Sequence, residues 1–485
     1  MSSTPVLAGF HPDPSICRVG EDYYLANSTF EYLPGVPIHR SRDLVAWEPV
    51  GSALDRPEQL ATRPGIAGAS GGIYAPTLRH HDGRFWLITT NLQEITRGHL
   101  IVHAADPSGT WSEPVFVPGL IGIDPDLSWD ENGVCRLTWS DVVRGGISQA
   151  VIDPFTGEVR SDVRELWRGT GGAHAEGPHL IRRGTWWYLI VAEGGTGPGH
   201  MVTIARSAAP DGPFEACPSN PILTHRSTSA AVQSTGHADL VECVDGTWAT
   251  VYLGTRPRGS FPRWHTNGRE TFIAGIDWVD DWPVVDESRF GEPSDAAGFV
   301  DDFDSATLHP RWIAPGVHPG SFARPRLGGG LELKRGRASN ATAAERLLAV
   351  RAVHPNWTAR VQADGDVALS VRIDDAHQVL VEHVGGRVRA RIAIGPLAQV
   401  VGEVEAPPHA QLEIRSTEPV VERGAPRGPD VIEAGYRVVD EFTRLARLDG
   451  RYLSTEVAGG FTGRVIGMEA LGDAVVVRRF ELEPA

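Results

Sequence analysis

Three acidic residues in the first 180 positions each stand beside proline or glycine at the start of an apolar, strand-like run. They are Asp13 in HPDPS, Asp124 in IDPDL and Glu176 in EGPHL. Such contexts favour an extended or turn backbone, which projects the side chain from the start of a strand. Two opposed carboxyl groups can cleave a glycosidic bond, because one protonates the leaving oxygen while the other activates water or attacks carbon. The three acids therefore suggest acid–base chemistry if the fold brings them together.

The acids belong to a pattern that occurs five times. The copies are HPDPSICRVGEDYYLA from His11, YAPTLRHHDGRFWLITT from Tyr74, IDPDLSWDENGVCRLTWS from Ile123, EGPHLIRRGTWWYLIVA from Glu176 and GHADLVECVDGTWATVYLG from Gly236. Each copy has an apolar strand, a turn containing glycine and an aromatic-rich strand, as in a β-hairpin. A second, looser pair of strand signals follows each hairpin. Five four-stranded units that cannot bury both faces alone predict a five-bladed β-propeller over residues 1–290, with a β-sandwich as the alternative.

The heads of the five copies align as Asp13, Ala75, Asp124, Glu176 and His237. Inner strands of a propeller line its channel, so we expect these heads to converge at one end. A single Asp beside Pro is ordinarily a turn residue, but three carboxylates at matching places favour catalysis. In an inverting enzyme Asp13 and Glu176 would lie about 6.5 to 9.5 Å apart. The charge of Asp124 would then raise the pKa of Glu176.

The chain has 485 residues, which is too long for one ordinary core. A polar stretch, DESRFGEPSDAAGF, ends the repeat at residues 286–299. Evenly spaced strand runs follow it, among them VALSVRIDD and QVLVEHVGG. This spacing predicts an antiparallel β-sandwich over residues 300–485, which would contribute to the rim of the active site.

Charge and composition exclude several classes of partner. A net charge of −16 works against nucleic acid. No apolar run reaches about 18 residues and no signal-peptide pattern begins the chain, so we expect no membrane partner and a cytoplasmic location. The four scattered cysteines favour buried free thiols over a bridge. The segment GGTGPGH lacks the ending of a phosphate loop, and we interpret it as a rim loop.

Several strings in this order carry a family resemblance. They are PVLAGFHPDPSICRVGEDYYLANSTFEYLPGVPIHRSRDLVAW, GGIYAPTLR, GIDPDL, EGPHL, STGHADLV, GRETF, DDFDSATLHPRW and GGFTGRVIGMEA. Over nearly the whole chain they resemble glycoside hydrolase family 43, in its β-xylosidase and α-L-arabinofuranosidase branch. The resemblance implies that Asp13 is the general base, Asp124 the pKa modulator and orienter, and Glu176 the general acid, with inversion at the anomeric carbon.

The resemblance also implies further site residues. Phe30 in STFEY and Tyr74 in GIYAP would wall the sugar subsite, and Arg269 in GRETF would bind sugar hydroxyls. His237 in GHAD would lie at the channel centre, near a structural calcium ion held largely through water, although hydrolysis itself requires no cofactor. Phe461 in GGFTG would cap the pocket from the second domain. The alternatives are core aromatics, an ordinary ion-pair arginine and a satisfied inner-strand histidine.

The expected activity is exo-acting release of D-xylose from the nonreducing ends of short β-1,4-xylo-oligosaccharides. The alternatives are an α-L-arabinofuranosidase, an enzyme with both activities and, in a different class, a noncatalytic sugar-binding propeller. Tyr74 stands where many relatives carry Trp, and Phe461 stands alone where some have a pair. Both departures leave the choice between xylose and arabinose open. Relatives are commonly homo-oligomers, but the sequence shows no interface.

Overall fold

The computed structural model describes residues 4–294, 297–335, 346–419 and 427–485, and its architecture is all-β. In the described chain up to Asp286, five antiparallel sheets of four strands follow one another, and we call them blades one to five. Blade one contains β1 (Ser15–Val19), β2 (Asp22–Ala26), β4 (Gly35–Ser41) and β5 (Glu48–Leu54), with the short β3 (Tyr32–Leu33) between β2 and β4. Blade two contains β6 (Thr77–His81), β7 (Arg84–Thr89), β8 (His99–Ala104) and β9 (Val115–Val117).

The other three blades repeat this meander. Blade three contains β10 (Gly122–Trp129), β11 (Cys135–Asp141), β12 (Ile147–Val151) and β13 (Arg164–Trp167). Blade four contains β14 (Glu176–Arg183), β15 (Trp186–Glu193), β16 (Met201–Ser207) and β17 (Glu215–Ala216). Blade five contains β18 (Gln233–Glu242), β19 (Trp248–Thr255), β20 (Glu270–Val279) and β21 (Trp282–Asp286).

The inner strands of the blades form a closed ring. Strand β1 contacts both β6 and β18, while β10 contacts β6 and β14, and β14 contacts β18. The segment before β1 fastens the ring to blade five, because Val6 N–H donates to Thr271 O at 2.9 Å and His11 N–H donates to Arg269 O at 3.0 Å. The predicted five-bladed propeller is confirmed.

Hairpin turns between the first two strands of every blade use glycine, as the repeat predicts. The five turn glycines all have positive φ; they are Gly20 (62°), Gly83 (70°), Gly133 (74°), Gly184 (60°) and Gly246 (81°). Other residues adopt this left-handed conformation only at a cost in strain. The turn residues therefore fix the register of each hairpin.

One feature of the predicted repeat register is wrong. Ile123, Glu176 and Gly236 pair at matching places, each just before a β-bulge in its inner strand. Asp13 and Asp124 have φ of 54° and 53°, and the residue that matches them in blade four is Gly177, with φ 58°. Glu176 thus precedes the equivalent place by one residue, as Tyr74 does in blade two. A bulge adds a residue and re-aims its neighbours, so alignment by residue type cannot detect this offset.

Below the heads, an ionic network centred on Arg79 links the inner strands of the blades. Its Nη1 lies 2.7 Å from Asp239 and its Nη2 lies 2.7 Å from Asp126, and both of these carboxylate side chains have no exposed surface. Nη2 also lies 3.0 Å from His179 Nδ1. Buried charges are tolerated when they are paired in this way, and the network joins blades two, three, four and five.

After the propeller, the described chain forms a second set of strands. They are β22 (Phe299–Asp301), β23 (Ala314–Pro315), β24 (Ala323–Pro325), β25 (Leu331–Lys334), β26 (Leu348–Arg351), β27 (Trp357–Asp364), β28 (Val367–Asp374), β29 (His377–Val384), β30 (Arg387–Ile394), β31 (Leu397–Glu405), β32 (Gln411–Thr417), β33 (Val431–Val438), β34 (Glu441–Asp449), β35 (Val465–Ala470) and β36 (Ala474–Pro484). Within the described ranges, the helical elements are the short α1 (Thr455–Ala458) and three 3₁₀ segments, Leu92–Arg97, Pro319–Ser321 and Gly450–Leu453.

These strands form the predicted β-sandwich. An eight-stranded sheet in the order β24-β25-β36-β27-β32-β33-β34, with β22 on β36, faces a six-stranded sheet in the order β26-β35-β28-β29-β30-β31. The core between them includes Trp312, Trp357 and Phe480. Strand β27 alternates between more buried and more exposed residues, whereas β19 in the propeller is buried throughout. The contrast follows from packing on one face in a sandwich and on both faces between blades.

Two sequence expectations outside the site can be compared with the structure. All four cysteines are free and buried, as predicted. In the described ranges, no helix has both the length and the apolar character needed to cross a membrane.

Candidate active site

Asp13 lies just before the inner strand of blade one and is 5% exposed. Its Oδ1 accepts a hydrogen bond from Arg269 Nη1 at 3.0 Å, and its Oδ2 accepts one from the Ser28 hydroxyl at 2.5 Å. Burial opposes ionisation, but the charge of Arg269 and the Ser28 hydrogen bond outweigh it, so the pKa of Asp13 lies below its usual value. Asp13 is therefore a carboxylate at neutral pH.

Asp124 and Glu176 are carboxyl groups that interact across the adjacent blades three and four. Asp124 Oδ2 accepts a hydrogen bond from the backbone N–H of Gly177 at 3.0 Å. Burial raises the pKa of Asp124 well above its usual value, and the charges of Glu176 and Asp13 raise it further. Burial also raises the pKa of Glu176 to about 7, with a further contribution from the charge of Asp13. A substantial fraction of Glu176 is therefore protonated at neutral pH.

Burial is the first cause of the raised pKa of Glu176, and the charge of Asp13 adds to it. Asp124 and Glu176 also oppose each other's ionisation, because the charge of either group raises the pKa of the other. The modulating role of Asp124 stays a prediction. Asp124 itself resists ionisation, because it is 7% exposed and has no ion-pair partner among the described residues. Asp13 differs because Arg269 compensates its charge.

Three aromatic rings from different parts of the chain meet beside these acids. Phe30 and Phe461 stack with ring centroids 6.1 Å apart, and Tyr74 meets them edge-on at 5.8 and 6.2 Å. Paired backbone hydrogen bonds between Phe30 and Ile73, both 2.9 Å long, hold the strands that carry Phe30 and Tyr74 together. The structure thus brings Phe461 of the sandwich to two residues of the propeller, as the sequence-based hypothesis requires.

Arg269 connects the acids to the aromatic rings. Its Nη1 donates to Asp13 and also to Thr196 Oγ1, each at 3.0 Å. The guanidinium carbon lies 5.8 Å from the centre of the Phe30 ring and 5.2 Å from that of the Phe461 ring. A guanidinium in this place both holds Asp13 ionised and offers hydrogen-bond donors to a polar ligand.

His237 lies next to Asp13, with Nδ1 3.7 Å from Oδ1. Burial lowers the pKa of His237 to about 4, so the imidazole is neutral at pH 7 and this contact is not an ion pair. The ring takes the space that a side chain at Gly177 would need, since a Cβ there would lie 2.9 Å from it. His237 therefore packs against the backbone that follows Glu176.

The surroundings of His237 do not supply a ligand set for a directly bound calcium ion. Calcium takes about six to eight oxygen ligands. Among the described residues, no group of three or more His, Cys, Asp or Glu side chains could hold a metal ion. The role of His237 as a calcium ligand stays a prediction, and we assign no chemical step to a metal.

Sequence reasoning missed three residues that support the site. The Ser28 hydroxyl donates a hydrogen bond to Asp13, and the Thr196 hydroxyl accepts one from Arg269. Thr196 belongs to the segment interpreted only as a rim loop. The His200 ring lies where a Cβ of Gly236 would be, at 2.3 Å, and its buried Nε2 has no hydrogen-bond partner within the described chain. The sequence offered two signals for these residues: the hydroxyl of Ser28, two residues before Phe30, and Gly236 at the head of blade five. Neither signal indicates which residue it contacts in the fold.

A carboxylate paired with a protonated acid beside aromatic rings and a guanidinium matches the requirements of glycosidic bond hydrolysis. The class that fold and site define is a glycoside hydrolase. The model of glycosyl hydrolases family 43 matches residues 2–283, which span the five blades up to the start of β21. The chain belongs to glycosyl hydrolases family 43, and the noncatalytic sugar-binding propeller is set aside.

Two relatives whose names state an activity are similar to this chain in sequence. A non-reducing end α-L-arabinofuranosidase of Bacteroides ovatus is 36% identical across 97% of this chain and 91% of that protein. A xylosidase/arabinosidase of Butyrivibrio fibrisolvens is 40% identical across 59% of this chain and 56% of that protein.

Two solved structures have a similar fold over nearly the full length of this chain. Bacteroides ovatus xyloglucan PUL GH43B superposes with a TM-score of 0.88 and 33% identity over 99% of both chains. A xylan β-1,4-xylosidase from Bacillus halodurans superposes with a TM-score of 0.85 and 28% identity over 100% of both chains.

Proposed function

We propose that this family 43 enzyme is an exo-acting, inverting glycosidase that releases D-xylose from the nonreducing ends of short β-1,4-xylo-oligosaccharides. The observation that carries the proposal is the contrast between the surroundings of two carboxyl groups in one site. Arg269 and Ser28 favour ionised Asp13, whereas burial favours protonated Glu176. Titratable groups whose environments separate their pKa values are the mark of an acid and base pair.

In this proposal Asp13 deprotonates the water that attacks the anomeric carbon, and Glu176 protonates the departing glycosidic oxygen. Asp124 orients Glu176, because its carboxylate holds the N–H of the next residue. When Asp124 is ionised, its negative charge also opposes the ionisation of Glu176. Arg269 keeps Asp13 ionised and donates hydrogen bonds to sugar hydroxyls.

The exo mode is supported by the aromatic rings. Phe30, Tyr74 and Phe461 lie within 6.2 Å of one another and together form a wall at one side of the acids. A wall of this kind accommodates a terminal sugar and excludes the interior of a chain. Apolar faces of a pentose pack favourably on aromatic rings while its hydroxyls bond to Arg269.

The second candidate is α-L-arabinofuranosidase activity, alone or beside xylosidase activity. It is favoured by the Bacteroides ovatus relative, which carries that activity in its name and aligns with 97% of this chain. The two sugars present similar bond geometry to one acid and base pair. Rates on 4-nitrophenyl β-D-xylopyranoside and 4-nitrophenyl α-L-arabinofuranoside separate the candidates, and a much higher rate on the arabinoside would make the second candidate the first.

Replacing Glu176 with Gln tests the mechanism. Loss of the acid should slow hydrolysis of xylobiose by about 100- to 10,000-fold while thermal unfolding stays unchanged. Glu165→Gln, at the exposed outer strand of blade three, is the matched control and should keep full activity. An unchanged rate in Glu176→Gln would remove it from the mechanism. NMR of the first-formed sugar tests inversion, and retention of configuration would contradict Asp13 as a base acting through water.

A cytoplasmic location and assembly into homo-oligomers also belong to the proposal. The location is supported by four free, buried cysteines, since reducing compartments keep thiols unpaired. Size-exclusion chromatography with light scattering tests the oligomeric state directly.

A further inference from the structure

A buried ion pair joins the propeller to the sandwich one residue from the aromatic wall. Glu31 follows Phe30, and its Oε1 accepts a hydrogen bond from Nη2 of Arg372 on β28 at 3.1 Å. Both side chains are almost fully enclosed, at 1% and 2% exposure. The same Nη2 lies 3.4 Å from the hydroxyl of Tyr32, and Nη1 of Arg372 binds Asp375. The pair is therefore part of a network that holds the backbone next to Phe30.

The second oxygen of Glu31 reaches the segment that supports Phe461. Glu31 Oε2 accepts the backbone N–H of Gly65 at 2.6 Å. Five residues further along, the Ser70 hydroxyl accepts the backbone N–H of Phe461 at 2.8 Å. Gly460 fits against the same segment only without a side chain, because a Cβ there would lie 2.5 Å from Ser70 Oγ. The Glu31 carboxylate therefore links the backbone next to Phe30 to the segment that supports Phe461.

These contacts form a closed circuit through both domains. From Phe30 it runs to Glu31, whose carboxylate binds Gly65, and it returns through Ser70 and Phe461 to the Phe30 ring, while Arg372 of the sandwich holds the same carboxylate. We infer that the Glu31–Arg372 ion pair positions the aromatic wall of the sugar subsite, which makes both residues positioning residues for catalysis. The inference rests on the proposed function of that subsite.

The physical reason lies in the enclosure of the pair. Removing one partner of a buried ion pair leaves the other charge uncompensated, and the structure must rearrange to admit water. Glu31 cannot move without releasing Gly65 and shifting Phe30. The catalytic carboxyl groups lie on other strands and make no hydrogen bond to this network in the described chain. Loss of the pair should therefore weaken sugar binding more than it slows the chemical step.

Kinetics of Arg372→Met on the preferred nitrophenyl pentoside test the inference in the full-length enzyme. KM should rise about tenfold, while kcat changes by less than about threefold. Arg372→Lys restores the charge without the planar fork and should give an intermediate KM. Binding of the released pentose, measured by calorimetry, should weaken in parallel.

Arg360→Met is the matched control, because Arg360 also pairs with a fully buried carboxylate, that of Glu413, but within the sandwich sheet. Its KM should equal that of the wild type. An unchanged KM in Arg372→Met, or an equal rise in Arg360→Met, overturns the inference. If Arg372→Met does not fold, Glu31→Gln keeps the side-chain shape, and an unchanged KM there has the same meaning. Failure of the proposed function would appear instead as an absence of pentosidase activity in the wild type.

Discussion

Asp124 holds the chain at Glu176 in place through the backbone, since its Oδ2 accepts the N–H of Gly177 at 3.0 Å. Gly177 is the residue with φ 58° at the bulge of β14, so this hydrogen bond fixes the direction in which Glu176 leaves the strand. The same carboxyl group resists ionisation because it is buried beside Glu176 and Asp13. Asp124 therefore acts on Glu176 in two ways. Its hydrogen bond orients the backbone that carries Glu176, and its charge interacts with the Glu176 carboxyl group.

Two replacements separate these contributions. Asn at position 124 keeps an oxygen for Gly177 N–H but carries no charge, so the acid stays in place and its apparent pKa falls. The basic limb of the kcat/KM profile of Asp124→Asn should move to lower pH. Asp124→Ala also loses the acceptor and should lose more in kcat. A basic limb that does not move in Asp124→Asn would contradict the modulating role and leave orientation alone.

In the proposed mechanism, the wild-type pH profile follows from the ionisation of Asp13 and Glu176. Asp13 must be ionised, so activity is lost as pH falls through its depressed pKa, below the usual carboxyl range. Glu176 must be protonated, so activity is lost as pH rises through about 7. The expected kcat/KM curve is a bell with a steady region between these limits, measured on a pentoside at constant ionic strength. Full activity at pH 9 would rule out Glu176 as the acid.

Arg269 has an effect on the acidic limb that can be measured separately. Its guanidinium is the main charge that opposes the effect of burial on Asp13. Arg269→Met should therefore raise the pKa of Asp13, and the acidic limb should move to higher pH together with an increase in KM. Arg289→Met, at an arginine beside the outer strand of blade five that pairs with Asp277, is the control for lost surface charge. A fixed acidic limb in Arg269→Met would show that Arg269 is not needed to keep the base ionised.

The repeat, the turn glycines and the three acids could be predicted from the sequence because they depend on short segments. Gly20 and its four counterparts need positive φ, and a single residue type satisfies that requirement. The offset of Glu176 could not be predicted in the same way. The bulges of the inner strands displace residues without altering the pattern of apolar positions.

Partners distant in sequence were also beyond prediction. Arg269 meets Thr196 across 73 positions and Arg372 meets Glu31 across 341 positions. Charged residues of this kind fit many partners equally well until the fold selects one. The causes of the raised pKa of Glu176 depend on enclosure and on three-dimensional distances, which short segments of sequence do not specify.

Phe461 gives the most direct test of the contribution of the sandwich domain to the pocket. Its ring stacks on Phe30 at 6.1 Å and lies 5.2 Å from the Arg269 guanidinium. Burying a phenyl side chain stabilises by about 1.5 to 3 kcal/mol, and part of that should be lost from substrate binding in Phe461→Ala. KM for the pentoside should rise about tenfold, because about 1.4 kcal/mol corresponds to a factor of ten.

The control for Phe461→Ala is Phe155→Ala, at an aromatic residue 54% exposed and packed on Trp86 in blade two. That variant should match the wild type in KM. Because the Phe461 side chain is uncharged and packs on Phe30 and Arg269, both limbs of the pH profile should keep their positions in Phe461→Ala. A shifted basic limb would mean that the ring excludes water from Glu176 as well, and an unchanged KM would mean that the pocket is complete without the sandwich.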